Sequence, residues 1–340
     1  KIVAPRISCA RMPRRSLRAL HGLGILAAGL LAVACGHAGA PRYRLGSLPF
    51  PGPFTLYAAA AGDLGGHRYG DQPREGAARE VGRGTLYTCH AGFVDVAHLR
   101  ESIDWTRHVY ERVLAAFAER APRLVFEGPD DTDYELAFHY PPHWDTLPRD
   151  EQQRAAIRVA QRSSLLIMTW HEVLTGAGYK TTGVVSERRS AFTYDDMSAH
   201  VIGVGVAGQA LSDTDAFDRA VTRALAARLA ALGMVDHACL DQALEQVEGT
   251  WWHGRFALRL QRETGRFAGQ LEPFVIEDLA CCPDATAEPL AWPPDDLLSL
   301  DLDALASIDL LPQSRSSRRI AGGERIAADD VYRWVEALPD

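Results

Sequence analysis

The apolar residues between positions 96 and 119 recur every three to four residues, and this long pattern constrains the fold more than any other feature. Such spacing places side chains on one face of an α-helix. Asp95 stands directly before the pattern, where its side chain can cap the first N–H groups. The sequence therefore predicts a long amphipathic helix that must bury one face against other elements. The residues on that face are Leu99, Ile103, Thr106, Tyr110, Val113 and Phe117.

The same spacing, read together with capping and stop residues, predicts further helices. Gly176-Ala177-Gly178 is typical of a helix end, and Thr193 followed by Asp196 resembles a capping box. The predicted segments are residues 150–176, a helix starting after Thr193, residues 215–232, a helix from 236 to 249, and a short helix at 327–337.

Strand patterns are fewer and predict two short β-hairpins. Residues 123–127 and 134–140 flank a Gly-Pro-Asp-Asp-Thr-Asp turn, and residues 256–261 and 270–276 flank a turn that contains glycine. From residue 281 onward, the Pro- and Asp-rich sequence predicts irregular structure apart from the last helix. The expected class is α+β and predominantly α-helical, with a helical core in one domain over residues 86–340.

The N-terminal residues have the layout of an export signal. Residues 12–34 carry three arginines and then a short apolar run, and Cys35 follows small residues. This layout predicts a signal peptide and lipidation of Cys35. Residues 1–11 are interpreted as the product of a start site placed too far upstream, and residues 35–85 as a tether and irregular lead-in. An uncleaved anchor is the alternative, although the apolar run is shorter than the roughly 20 residues of a membrane span.

Net charge limits the classes of partner. Residues 1–34 contain six of the 36 basic residues and none of the 44 acidic ones, so the remainder has a net charge of −14. This acidity argues against nucleic-acid binding, which needs a basic face. The expected membrane contact is therefore the lipid on Cys35, and the expected location is the cell envelope, facing the periplasm or the outside.

Four cysteines remain beyond Cys35, an even number that favours disulfides in an oxidising compartment. Cys281 and Cys282 are neighbours, so each is expected to bond elsewhere, and pairing with Cys89 and Cys239 uses all four. Burial of some of them as small apolar residues is the alternative.

Titratable residues gather around the start of the first helix. Asp95, His98 and Arg100 follow Cys89 within a few residues. The helix dipole disfavours a charged His98, and a neutral imidazole can bind a metal or accept a proton. The alternative is an ordinary capped helix with no chemistry.

Two further clusters contain a histidine or carboxylates. His171-Glu172 resembles the start of HExxH, but Thr175 stands where the second histidine belongs, so any metal needs ligands from elsewhere, such as His98, Asp95 or Asp195. Glu187 and Asp195 near the next predicted helix are further candidates. The alternatives are an exposed His-Glu pair and acidic helix caps.

Cys89 also permits a different reaction. Its thiolate would lie before a helix, and Cys-His-Ala-Gly-Phe-Val resembles, with one insertion, a motif of cell-wall cysteine peptidases. That family places its histidine on a strand, whereas His200 falls in a predicted helix. A disulfide is the competing role for Cys89.

Taken together, residues 87–106, 170–175 and 190–203 resemble domain-of-unknown-function family 4056. Their sequences include Tyr-Thr-Cys-His-Ala-Gly-Phe-Val-Asp-Val-Ala-His-Leu-Arg, Trp-His-Glu-Val-Leu-Thr and Ser-Ala-Phe-Thr-Tyr-Asp-Asp-Met. The resemblance implies a bacterial lipoprotein and one unit that unites the three clusters. It implies no catalytic residues, because the family has no established activity.

The leading hypothesis is an envelope lipoprotein of unknown activity with a pocket lined by Asp95, His98, His171 and Glu172. If it is an enzyme, the pocket favours metal-assisted hydrolysis, with cell-wall peptide or glycan as the substrate that its location suggests. Asp95, His98, His171 and Asp195 would hold a divalent ion such as zinc, and Glu172, with His98 as the other catalytic candidate, would take a proton from the bound water. The second hypothesis is a non-catalytic lipoprotein that binds a cell-wall or envelope protein partner. The Cys89 peptidase is the third.

Overall fold

The computed structural model describes residues 40–41, 60–70, 84–180, 188, 190–251, 265, 269–291 and 300–337, which belong to one compact unit. The helices in this part of the chain are α1 (Val96–Glu119), α2 (Arg149–Gly176), α3 (Tyr194–Leu211), α4 (Phe217–Ala231), α5 (His237–Gln246), α6 (Leu302–Leu305), α7 (Arg315–Ala321) and α8 (Ala328–Ala337). The strands are β1 (Thr85–Thr88), β2 (Gly92–Asp95), β3 (Arg123–Glu127), β4 (Thr132–Phe138), β5 (Gln270–Leu271), β6 (Leu290–Ala291), β7 (Ala306–Pro312) and β8 (Ile326–Ala327). The α+β class with a mainly helical core is confirmed.

Helix α1 has the predicted bounds and the predicted cap. Asp95 Oδ1 accepts hydrogen bonds from the backbone N–H groups of Ala97 at 2.8 Å and His98 at 2.9 Å. The helix ends at Glu119, and the next residue, Arg120, has a left-handed backbone that turns the chain away. Capping by aspartate satisfies two of the N–H groups that a helix start leaves without partners.

Helices α1, α2 and α3 pack against one another and form the centre of the fold. The crossing of α1 and α3 is close because Gly203 has no side chain. A Cβ atom there would lie 2.5 Å from the carbonyl oxygen of Leu99 and 2.8 Å from Cβ of Ser102. This approach brings polar side chains of α3 to the first turns of α1. The predicted bounds of α2, α4, α5 and α8 are correct to within about three residues, as expected when helix ends are assigned from sequence.

The predicted hairpin around residues 128–131 is confirmed as β3 and β4. It is part of a larger antiparallel sheet, in the order β3-β4-β7-β8, because β7 pairs along the whole length of β4. The prediction of irregular structure after residue 281 is therefore wrong in part. Strands β4 and β7 are far apart in sequence, so no local sequence pattern predicts that β7 is a strand.

The described residues also form two sheets of two strands each. Strands β1 and β2 form a hairpin directly before α1. In the described part of the second predicted hairpin, Gln270–Leu271 is a strand, and it pairs with Leu290–Ala291. The expected partner at 256–261 lies outside the described residues.

Two disulfides join the C-terminal segment to the body of the fold. Cys89 bonds to Cys282, and Cys239 on α5 bonds to Cys281. The pairing of the adjacent cysteines with Cys89 and Cys239 is thus confirmed. Among the described helices, none combines the length and the apolar content needed to span a membrane.

Candidate metal centre

His98 lies in the first turn of α1 with its Nδ1 atom between two carboxylates. Asp95 Oδ1 is 3.0 Å away, and Asp196 Oδ1, from the first turn of α3, is 3.3 Å away. Burial lowers the pKa of His98, but Asp196 and Asp95 together raise it well above its usual value. The expectation of a neutral His98 considered only the helix dipole and is wrong for this arrangement, because the two carboxylates favour the charged ring. A metal at Nε2 would have to displace that proton.

His171 is held in the same way from a different element. Its Nδ1 atom lies 2.7 Å from Oδ2 of Asp130, in the turn between β3 and β4. Burial lowers the pKa of His171, but the charge and hydrogen bond of Asp130 raise it to about 10. Asp130 and Asp131 have φ angles of 57° and 52°, a conformation that Asp and Asn tolerate better than most residues.

Glu172 is buried, and a backbone N–H group fixes one of its oxygens. The N–H of Phe192 donates to Oε2 at 2.6 Å. Phe192 adopts a φ angle of 58°, which is strained for a bulky residue. Burial raises the pKa of Glu172, but His200, His171 and His98 outweigh it, and the net shift is downward. A strained backbone that presents a donor to a buried carboxylate is typical of a functional site.

His200 on α3 is a third imidazole at this place. Its ring is fully buried, its Nδ1 lies 3.0 Å from Ser102 Oγ, and its Nε2 lies 3.7 Å from Oε1 of Glu172. Burial lowers the pKa of His200 to about 4. The centroid of its ring is 5.3 Å from that of His98.

The ligand atoms of His98, His171 and Glu172 lie within 4.8 Å of one another. Bonds of about 2 Å to a shared ion place two ligands at most roughly 4 Å apart, so small side-chain movements complete the set. The ring centroids of His98 and His171 are 6.5 Å apart, so the two rings must move slightly closer together to share an ion. Carboxylates occupy Nδ1 of both histidines, so Nε2 is the atom each presents to a metal, as in carboxylate–histidine–metal arrangements.

A second group of ligand atoms, from Asp95, His98 and Asp196, also meets this distance. Asp95 Oδ1 already caps α1, and Asp196 Oδ2 accepts a hydrogen bond from Thr193 Oγ1 at 2.9 Å. The sequence predicts that the Thr193 side chain caps the backbone of α3. Instead, that side chain binds Asp196. These two carboxylates serve mainly to orient the His98 ring.

The other predicted site residues lie elsewhere or have other partners. Asp195 is buried beside Asp196 but belongs to neither group of ligand atoms. Arg100 donates to the carbonyl oxygens of Leu64 and Gly66. Cys89 is in a disulfide, so the cysteine-peptidase hypothesis fails for lack of a thiolate. Glu187 and Cys35 lie outside the described residues.

Sequence reasoning missed Asp130, Asp196 and His200 as members of this cluster. Asp196 and His200 are four residues apart and so share a face of α3, a spacing that is visible in the sequence. Asp130 reaches His171 only through the β3–β4 turn, and nothing local to either residue signals that contact.

The fold and the cluster define a mainly helical α+β protein with a buried site of three histidines and several carboxylates. Residues 31–259 match the family described as Protein of unknown function (DUF4056), and the chain belongs to that family. Neither the curated proteins nor the solved structures contain a match to the chain.

Proposed function

We propose that this protein is a metal-dependent hydrolase of the cell envelope, anchored there by a lipid on Cys35. One observation carries the proposal: His98 and His171 each have a carboxylate at Nδ1, and their ligand atoms converge with that of Glu172. Two separately oriented imidazoles that meet at one carboxylate fit a metal centre better than a structural ion pair.

The chemistry follows from this donor set. Imidazole nitrogens and a carboxylate suit zinc and related divalent ions. A bound ion lowers the pKa of its water to about 7 and so supplies hydroxide at neutral pH. The sequence predicts that Glu172 takes a proton from the bound water, but we assign it to this centre as a ligand. The N–H of Phe192 holds its Oε2, and its carboxylate converges with the ligand atoms of His98 and His171. His98 has 17 % of its side chain exposed and marks the side from which substrate approaches.

The proposed location rests on the export-type signal at residues 12–34. Two disulfides agree with an oxidising compartment outside the cytoplasm. In that compartment the available polymers are cell-wall peptide and glycan, and their amide or glycosidic bonds are the proposed substrates. A cell-wall or envelope protein partner is compatible with the same location.

The test begins with metal content. The full chain, exported by a bacterial host and purified in detergent, is analysed by elemental mass spectrometry. About one equivalent of zinc or another transition metal is expected, and His171→Asn is expected to remove most of it. Trace metal in both proteins, with no uptake on titration with Zn²⁺, contradicts the proposal.

Activity is then measured as release of soluble fragments from purified cell wall. The metal-loaded protein is expected to release fragments, and Glu172→Gln is expected to release at least tenfold less. His108→Asn is the matched control, since His108 is also buried on α1 but lies ten residues, or about 15 Å of helix, from His98. If the metal-loaded protein has no activity on cell wall, the proposed metal centre stands, but cell wall is excluded as its substrate.

A further inference from the structure

The role of His200 goes beyond the donor set proposed above. We infer that His200 is a third imidazole ligand of the metal centre, so that α1, α2 and α3 each supply one histidine. This inference rests on the proposed metal centre and deepens it. The ring of His200 is completely buried on α3, and its Nε2 atom has no hydrogen-bond partner.

A buried nitrogen without a partner destabilises a fold unless something satisfies it. Oε1 of Glu172 lies 3.7 Å from Nε2 of His200. That separation is too long for a hydrogen bond. It is close to the distance between two ligands of one ion, which is roughly 3–4 Å for bonds of about 2 Å. An ion between these two atoms therefore satisfies both.

Ser102 fixes the Nδ1 side of the His200 ring, and this determines which ring nitrogen is available to a metal. Ser102 Oγ lies 3.0 Å from Nδ1 of His200 and 2.9 Å from the carbonyl oxygen of His98, to which it donates. A hydroxyl has one hydrogen, so Ser102 accepts from Nδ1–H in this arrangement. The neutral ring then carries its lone pair on Nε2, the tautomer that binds a metal.

Ring spacing is consistent with an ion shared by His98 and His200. An imidazole bound through nitrogen has its centroid roughly 3 Å from the ion, so two rings on one ion lie at most roughly 6 Å apart, and about 5 Å apart at the tetrahedral angle. The centroids of His98 and His200 are 5.3 Å apart, and those of His98 and His171 are 6.5 Å apart. By this measure His200 is better placed beside His98 than His171 is. The ligand atom of His200 lies outside the 4.8 Å group of His98, His171 and Glu172, so side-chain movement must bring all three imidazoles to one ion.

Three imidazoles and one carboxylate also restrict the class of ion. Imidazole suits zinc, copper, iron and nickel, whereas magnesium and calcium prefer oxygen ligands. The centre is therefore expected to take a transition metal and to leave Mg²⁺ and Ca²⁺ in solution, even at millimolar concentration.

X-ray absorption of the zinc-loaded full chain tests the inference without any substitution, because scattering from the outer ring atoms counts bound imidazoles. Three imidazoles per zinc are expected. Two imidazoles overturn the role of His200 and leave the His98–His171 centre intact. No bound zinc contradicts the proposed function and this inference together.

A competition titration with a chromophoric zinc chelator supplies the second measurement. His200→Asn is expected to raise the Kd for zinc more than 100-fold, beyond the 10- to 100-fold effect typical of a residue that only supports a ligand. His108→Asn is the control and is expected to match the wild type. A smaller effect in folded His200→Asn overturns the inference, and if this variant does not fold, the imidazole count of the wild type decides.

Discussion

Oδ2 of Asp130 lies 2.7 Å from Nδ1 of His171 and so connects the turn between β3 and β4 to the last part of α2. Both side chains are nearly buried. The turn places both of its central residues, Asp130 and Asp131, in the left-handed region. A sheet turn and a helix that are 41 residues apart thus cooperate to orient one imidazole.

The first prediction concerns this contact. Asp130→Asn should weaken zinc binding about 10- to 100-fold, because the carboxylate sets the orientation and basicity of the imidazole. Asparagine tolerates the left-handed backbone, so the turn should persist. The measurement is competition for zinc with a chelator. Asp131→Asn, in the same turn, is the control and should bind as the wild type does; equal weakening in both variants would point to damage to the turn.

The second prediction concerns the disulfides. Replacing both Cys239 and Cys281 by serine should lower the free energy of unfolding by about 2–5 kcal/mol, because the bond limits the unfolded chain. Denaturant unfolding measures this loss. Peptide mapping under non-reducing conditions should recover Cys89 with Cys282 and Cys239 with Cys281. Recovery of the exchanged pairs, or of unbonded thiols, would refute the assignment.

Helices were predicted well from the sequence because their signals are local. The cap Asp95, the apolar period of α1 and the glycines after α2 all lie within the elements that they define. Strand β7 was missed because it pairs with β4, about 170 residues earlier, and no short stretch of sequence contains both strands. Strand β8 has only two residues and pairs with β7, so it has too short a pattern to be recognised without β7.

The same division applies to the site. His98, His171 and Glu172 were recognised because histidine beside carboxylates is conspicuous along the chain. Asp195 was chosen over its neighbour Asp196, since the phase of a helix start decides which of two adjacent carboxylates faces α1. Asp130 could not be predicted as a partner of His171, because it lies in the β3–β4 turn, 41 residues from His171 in the sequence.

The third prediction concerns the helix crossing. Gly203→Ala should lower stability by about 1–3 kcal/mol, because the new Cβ would overlap the carbonyl of Leu99 and Cβ of Ser102. Gly205→Ala, on the same helix, meets nothing within 4 Å and should stabilise the protein by about 0.5–1 kcal/mol. Thermal unfolding of both variants checks the opposite signs. If both variants change stability in the same direction, α1 and α3 do not cross as closely at Gly203 as the distances indicate.

The fourth prediction concerns pH and the sheet. Glu135 on β4 pairs with Arg325 at 3.0 Å and with Arg123 from β3. The hydrogen bond and charge of Arg325, with the charge of Arg123, outweigh burial and lower the pKa of Glu135 from 4.5. A lowered pKa in the folded state means that the stabilisation is complete above the unfolded value and is lost as the pH falls through the folded value.

Glu135→Gln should therefore lower the free energy of unfolding by about 0.5–1 kcal/mol at pH 7, a modest value because both arginines are half exposed. The difference from the wild type should shrink as the pH falls below 4.5 and vanish once the pH is below the lowered pKa of the folded state, because the wild-type carboxyl is then protonated as well. Urea unfolding across this range measures it. Glu245→Gln, at an exposed position of α5, is the control and should show no such trend. A difference that stays constant with pH would show that Glu135 stabilises the sheet through packing and not through its charge.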